Sequence, residues 1–161
     1  FGPGSSLNPD ETITAIPALA IIIGGHGGKV QIEDADDLVL GYANATIFKN
    51  STSGGAAYDG GYAMGPVLTS PDDFDDEAVV NSKGKNLLSS SALTINNQEP
   101  TTLPLANMPG TPAEILSKIS QTAPLVEGDV ILVGLTSVQV SKGDEIKLSH
   151  SKMGALVTRL L

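Results

Sequence analysis

Two histidines, an acidic run and a few hydroxyls are the side chains in this sequence best suited to chemistry. His26 stands inside a glycine run, Gly24-Gly25-His26-Gly27-Gly28, and His150 stands between Ser149 and Ser151. A serine paired with a histidine and a carboxylate is the arrangement of acyl transfer, but no G-x-S-x-G elbow presents such a serine. The glycine run has no GxGxxG register and no closing Lys-Ser/Thr pair, so it reads as a hairpin turn rather than a phosphate loop. Asp72, Asp73, Asp75, Asp76 and Glu77 are hard oxygen donors of the kind that hold Ca²⁺ or Mg²⁺. They lack the EF-hand register with its central glycine and read as a solvated acidic loop. Tyr58, Asp59 and Thr136 complete the candidates for a metal-free active site. Cysteine is absent, which removes thiolate nucleophiles, Cys-ligated zinc and disulfides and fits a cytoplasmic location.

These groups need a scaffold, and 161 residues suffice for one domain with a real core. A single domain over 1–161 is expected, with the abrupt start at Phe1 leaving room for a missing N-terminal segment. Eighteen Gly and ten Pro favour strands and loops over a helical bundle. The formal charge of −9, from nine basic and eighteen acidic residues, disfavours nucleic acid and anionic membrane surfaces as partners. The apolar run Ala15 to Ile23 is about half of what a bilayer requires, and no basic segment precedes it.

Thr12 to Ile23 reads as two β-like pieces broken by Pro17, the second continuously apolar as in a strand buried on both faces. Glu33 to Leu40 reads as a short helix with acids at its favoured N-terminal end, and Tyr42 to Phe48 as a strand. Thr111-Pro112-Ala113-Glu114 is a capping box with Pro at the first helical position, opening a helix that ends near Ala123. Val130–Val133, Thr136–Val140, Glu145–Leu148 and Ala155–Leu160 follow as strands. Two of them are introduced by the Gly-Asp turns Gly128-Asp129 and Gly143-Asp144. The fold class is mainly β (α+β) with one or two short helices, and Ala18–Ile23 and Val130–Val133 are expected as central buried strands.

Pro124 to Gly134 resembles the "L-x-x-GD-x-I-x-x-G" segment of the fumarylacetoacetate hydrolase family. The second "GD" strand at Lys142–Ile146 and the closing Met153-Gly154-Ala155-Leu156 are similarly spaced. Upstream, Phe1 with Ser5-Ser6-Leu7 resembles the family's "F-K-P-x-S-L" segment, and Ala18–Gly24 its "E-L-x-x-x-I-G" strand. Asp34–Tyr42 is similar to the "D-A-x-x-x-V-x-G-Y" step, and Tyr62–Leu68 to the "P-x-G-P-x-L" turn. The resemblance implies a mixed β-sandwich roll of the family's C-terminal type, usually dimeric. It further implies a Mg²⁺, Mn²⁺ or Ca²⁺ ion that chelates a 2-oxo acid for C–C hydrolysis, decarboxylation or tautomerisation.

Carried over residue by residue, the two glutamate ligands fall on Ile16 and Ala18 and the aspartate ligand on Ile47. The pocket lysine falls near Ala56, and the threonine of "G-T-P" is replaced by Leu135, with Thr136 one place later. Neither Glu11 nor Asp59 restores an E-x-E pair on one strand face. No metal cofactor is therefore expected, and Ile16, Ala18 and Ile47 should pack beside Gly65-Pro66 and Gly134. The substrate-pocket candidates are Tyr58, Gly65, Pro66, Gly134 and Thr136. Three readings follow. The first is a non-catalytic half or subunit, homodimeric or paired with an active copy, like the ligand-lacking half of bifunctional homoprotocatechuate-pathway decarboxylase/isomerases. The second is an active enzyme with relocated chemistry, and the third an acidic scaffold or binding module.

Overall fold

The computed structural model describes residues 6–7, 13–50 and 57–161. In chain order its strands and helices are β1 (Ser6–Leu7), β2 (Ile13–Ile23), α1 (Ile32–Ala35), β3 (Val39–Asn50), β4 (Ala57–Met64), β5 (Ala78–Asn81), β6 (Gly84–Leu87), β7 (Ser90–Ile95), β8 (Thr101–Pro104), α2 (Pro112–Ser120), β9 (Val130–Gly134), β10 (Val138–Val140), β11 (Glu145–His150) and β12 (Gly154–Leu160). Short 3₁₀ turns lie at Asp36–Leu38, Pro71–Glu77 and Leu105–Asn107. One sheet runs β1-β12-β11-β7-β8 and the other β10-β2-β3-β4, with β9 beside β2; β5 and β6 form a separate hairpin. All pairings are antiparallel except β1 with β12. The chain is thus a mainly β, mixed β-sandwich roll.

The two sheets face each other across Ile13, Ala15 and Phe48 on one side and Leu93, Ile146, Leu148 and Leu156 on the other. Farther along β2, Leu19, Ile21 and Ile23 pack instead on Leu116 of α2, Phe74, Leu105 and Met153. The α2 cap is formed as its sequence requires. The Thr111 side chain accepts from the Glu114 amide, and the Glu114 carboxylate accepts from the Thr111 amide at 2.9 Å, which also holds that carboxyl below its ordinary range. The helix stops at Ser120, three residues before the expected Ala123.

Pro17 does not break the first strand: β2 is continuous from Ile13 to Ile23. Its outer edge is shared, with β10 pairing Ile13 to Ala15 and β9 pairing Ala18 to Ile22. Pro17 falls in the gap, where its carbonyl accepts the Leu135 amide at 2.8 Å. The N–H and C=O of one residue in an antiparallel strand point to the same side. The missing donor of Pro17 therefore faces the gap, and the ladder to β3 loses nothing.

Other segments depart from the sequence reading. Val130–Val133 is not a central buried strand. It lies along the edge of β2, and only Val133 of the four is fully buried. The helix expected over Glu33–Leu40 is one turn of α-helix and one of 3₁₀, and Val39 already begins β3. The acidic loop is a 3₁₀ segment with Pro71 at its start, anchored by the wholly buried Phe74. The glycine run closes no tight hairpin. Residues 24–38 connect β2 to β3, and Gly27 exchanges backbone hydrogen bonds of 3.0 and 2.8 Å with Leu125. Thr136 precedes β10 rather than joining it.

Candidate functional site

Alternation along β2 and β3 gives their sheet two different faces. Residues 13, 15, 19, 21 and 23 point into the sandwich, whereas Ile16, Ala18, Ala20 and Ile22 point away from it, opposite Ala43, Ala45 and Ile47 of β3. Successive rows cross this outer face. Ile16 pairs with Ile47, which pairs with Tyr62. The next row runs Met64, Ala45, Ala18 and Gly134 across four strands. Then come Ala43, Ala20 and Leu132, and finally Gly41, Ile22 and Val130.

The three positions onto which the resemblance carries the metal ligands lie together: Ile16 and Ile47 are direct partners and Ala18 is one row away. Their side chains carry no oxygen, so this donor set does not fit a hard divalent cation, which takes about six oxygen ligands. Ala18 is 1% exposed; Ile16 and Ile47 are half-buried. Gly134 meets Ala18 across the strand pair, and a Cβ added there would lie 2.9 Å from Ile16 Cγ2. Small residues at 18, 20, 43 and 45 let the flanking Ile22, Ile47, Met64, Val130 and Leu132 close over them.

Gly65 and Pro66 stand at the far side of this face. Gly65 adopts φ 126° and donates its amide to the Asn44 carbonyl at 3.0 Å. With Ile22, Ala43, Met64 and Val130 they line an uncharged cavity of about 390 Å³. The structure therefore joins Gly65-Pro66 and Gly134 to one face, at opposite margins. Thr136 is half-buried beyond the end of β9. The side chains of Tyr58 and Asp59, and all of Glu11 and Ala56, lie outside the described residues. Sequence reading missed Ile22, Ala43, Met64 and Val130 as lining residues, although the every-second-residue rule applied to β2 and β3 identifies the first two.

The histidine candidates separate. His26 is exposed. His150 is buried, and its partner is neither neighbouring serine: Nε2 lies 3.0 Å from Ser89 Oγ, while Nδ1 accepts the Lys152 amide at 3.1 Å. An amide only donates, so Nδ1 is unprotonated and Nε2 carries the hydrogen toward Ser89. That tautomer cannot take a proton from Ser89, which excludes the serine–histidine dyad in this arrangement. Burial holds the His150 ring below the ordinary histidine range, with Glu77 opposing and Lys152 adding to the effect.

The acidic run is clamped by lysines. Lys85 Nζ donates to the Pro71 carbonyl at 2.9 Å and to Asp75 at 2.7 Å, and Lys152 Nζ donates to the Asp73 carbonyl and to Asp76. The Lys152 hydrogen bond lowers the Asp76 carboxyl, and Asp76 raises the Lys152 ammonium. Among the described residues no group of three or more His, Cys, Asp or Glu is placed to hold a metal ion. No described helix is long and apolar enough to cross a membrane.

Solved structures share this architecture. A fumarylacetoacetate hydrolase from the psychrophile Exiguobacterium antarcticum superposes with a TM-score of 0.80 at 23% identity, over 99% of this chain and 61% of that one. A maleylpyruvate hydrolase from Sphingobium sp. SYK-6 gives 0.79 at 22%, over 99% and 59%. A 5-carboxymethyl-2-hydroxymuconate delta-isomerase from Mycobacterium smegmatis gives 0.76 at 20%, over 99% and 64%. The chain spans less than two thirds of each of these proteins, and at such identities the likeness establishes the fold. No curated protein matches in sequence. Residues 11–161 match the profile described as Fumarylacetoacetate (FAA) hydrolase C-terminal. With the β2–β3 sheet, the Gly65-Pro66 turn and both Gly-Asp strands inside that span, the chain belongs to the fumarylacetoacetate hydrolase C-terminal family.

Proposed function

We propose that this chain is one half or subunit of a decarboxylase, isomerase or hydrolase acting on 2-oxo (dienoic) dicarboxylic acids of aromatic catabolism, and that it is itself non-catalytic. One observation carries the reading: the three positions aligned with metal ligands meet on one sheet face as Ile16, Ala18 and Ile47. A one-residue slip in the alignment of either strand would instead place its ligand positions on the opposite face. Their convergence supports the register of the alignment, and their chemistry removes the cation. Unused carboxylates buried there would cost several kcal/mol of uncompensated desolvation, whereas aliphatic groups stabilise the same space.

The hydrolase and isomerase names among the structural neighbours support the substrate class. The ligand-lacking half of homoprotocatechuate-pathway enzymes is the arrangement we assign, with the 1–161 domain paired to an active copy or to itself in the cytoplasm. The test is a Mn²⁺ titration followed by calorimetry, together with turnover of 2-oxo-dienoic and oxaloacetate-like acids. The chain alone is expected to bind no Mn²⁺ at millimolar concentration and to turn nothing over. Ile16→Glu, Ala18→Glu and Ile47→Asp combined should introduce binding at the cost of stability from buried like charges. An ion held by oxygens at this position, or turnover by the chain alone, would overturn the reading.

A further inference from the structure

His150 has both ring nitrogens committed, Nδ1 as acceptor of the Lys152 amide and Nε2 as donor to Ser89 Oγ. The ring also packs on Phe74 of the 3₁₀ segment, with centroids 5.5 Å apart. Lys152 is tied to the same region by its other groups. Its carbonyl accepts the Thr69 hydroxyl at 3.0 Å, and its ammonium holds the Asp73 carbonyl and Asp76. We propose that the neutral His150 ring is a pH-sensitive latch, which fixes the turn at 151–154 and through Lys152 holds the acidic segment Pro71–Glu77 closed. This device stands apart from the question of catalysis.

A second proton can enter only at Nδ1, where it meets the Lys152 N–H head-on. Two donors then face each other with no acceptor between them, so the amide must turn away and draw Lys152 from its contacts. Glu77, at the end of the same segment, has Oε2 buried without a partner and is the negative charge acting on the ring. It offers the imidazolium an alternative acceptor, which makes the element two-state. The Lys152 ammonium opposes the proton, and Ser89 brings only a neutral hydroxyl. A depressed histidine pKa means that the closed form is fully supported above the unfolded value of about 6.5 and loses support as pH falls below it.

The test is amide hydrogen exchange between pH 7.5 and 4.5, corrected for intrinsic rates, in a His26→Asn background so that one histidine titrates. Protection at 71–77 and 151–154 should fall by up to about tenfold for each pH unit below about 6.5 and level off once the closed form's ring is itself protonated, while amides of β2 and β3 keep theirs. Glu77→Gln should move the midpoint to lower pH, and His150→Gln should leave the segment open and insensitive to pH over this range. Protection unchanged with pH, lost equally across the whole chain, or unmoved in midpoint by Glu77→Gln would overturn the latch. If His150→Gln fails to fold, the titration and Glu77→Gln decide.

Discussion

The inner and outer faces of β2 and β3 are made by the same two strands, yet they follow different rules. Inward, Ile13, Leu19, Ile21, Tyr42 and Phe48 are all 1% exposed or less and fill the space to the second sheet and α2. Outward, the fully buried side chains are those of four alanines, closed over only by half-buried neighbours. One face holds the fold together through volume. The other keeps to small residues along its middle rows, under half-buried neighbours. The backbone rows of the outer face are therefore held in place whatever side chains they carry, because the same ladder serves the core on the reverse side.

The largest effect that separates the faces comes from adjacent residues of β3. Phe48→Ala should cost about 4 kcal/mol in urea unfolding, because Phe48 is wholly buried between the sheets. Ile47→Ala, pointing the other way and half-buried, should cost under about 2 kcal/mol. Equal losses would break the distinction. Next, Gly134→Ala places its methyl against Ile16 Cγ2 and should cost about 1–3 kcal/mol from overpacking. Combining it with Ile16→Ala should recover about 1 kcal/mol of that in a double-mutant cycle, which measures how closely the outer row is packed. Thr111→Ala removes the cap of the helix that covers the inner face and should cost about 1 kcal/mol, while leaving outer-face variants additive.

Smallest at neutral pH, and confined to alkali, is the effect of Tyr42. Burial, then the charge of Asp36, pushes its phenol well above the ordinary range. A raised pKa lends stability that is complete below the unfolded value of about 10 and is lost as pH rises beyond it. Unfolding midpoints should fall above pH 10 in the wild type and fall less in Tyr42→Phe.

Local devices were the most legible part of the sequence. The capping box at Thr111 and Glu114 is formed, and so are both Gly-Asp turns. Gly128 and Gly143 adopt φ 91° and 93°, and Asp129 and Asp144 accept the Val126 and Ser141 amides at 2.9 and 2.8 Å. Each motif contains its own partners within four residues, so sequence suffices. The strands β5 to β8 were not read, because Ser90–Ile95 and Thr101–Pro104 are rich in hydroxyls and acquire their identity only by pairing with each other and with β11. Pro17 misled for the same reason: its tolerance depends on where β9 ends and β10 begins. The convergence of Ile16, Ala18 and Ile47 was legible in part from the family spacing, but the rows that extend it to Met64 and Gly134 are set by cross-strand register. His150 was read with its chain neighbours, whereas its partner Ser89 comes from a segment 61 residues away.

The gap that accommodates Pro17 also bears on how the chain finds its register. Sliding β2 by one residue against β3 would turn the alanine face inward and aim the proline's absent donor at a partner carbonyl. Sliding it by two would bring Pro17 under β9 or β10, again opposite an acceptor needing a donor. Of these three alignments, the observed one alone leaves every carbonyl neighbouring Pro17 served. A residue that looks like a flaw in the longest apolar run thus helps to specify the register of β2 against its neighbours.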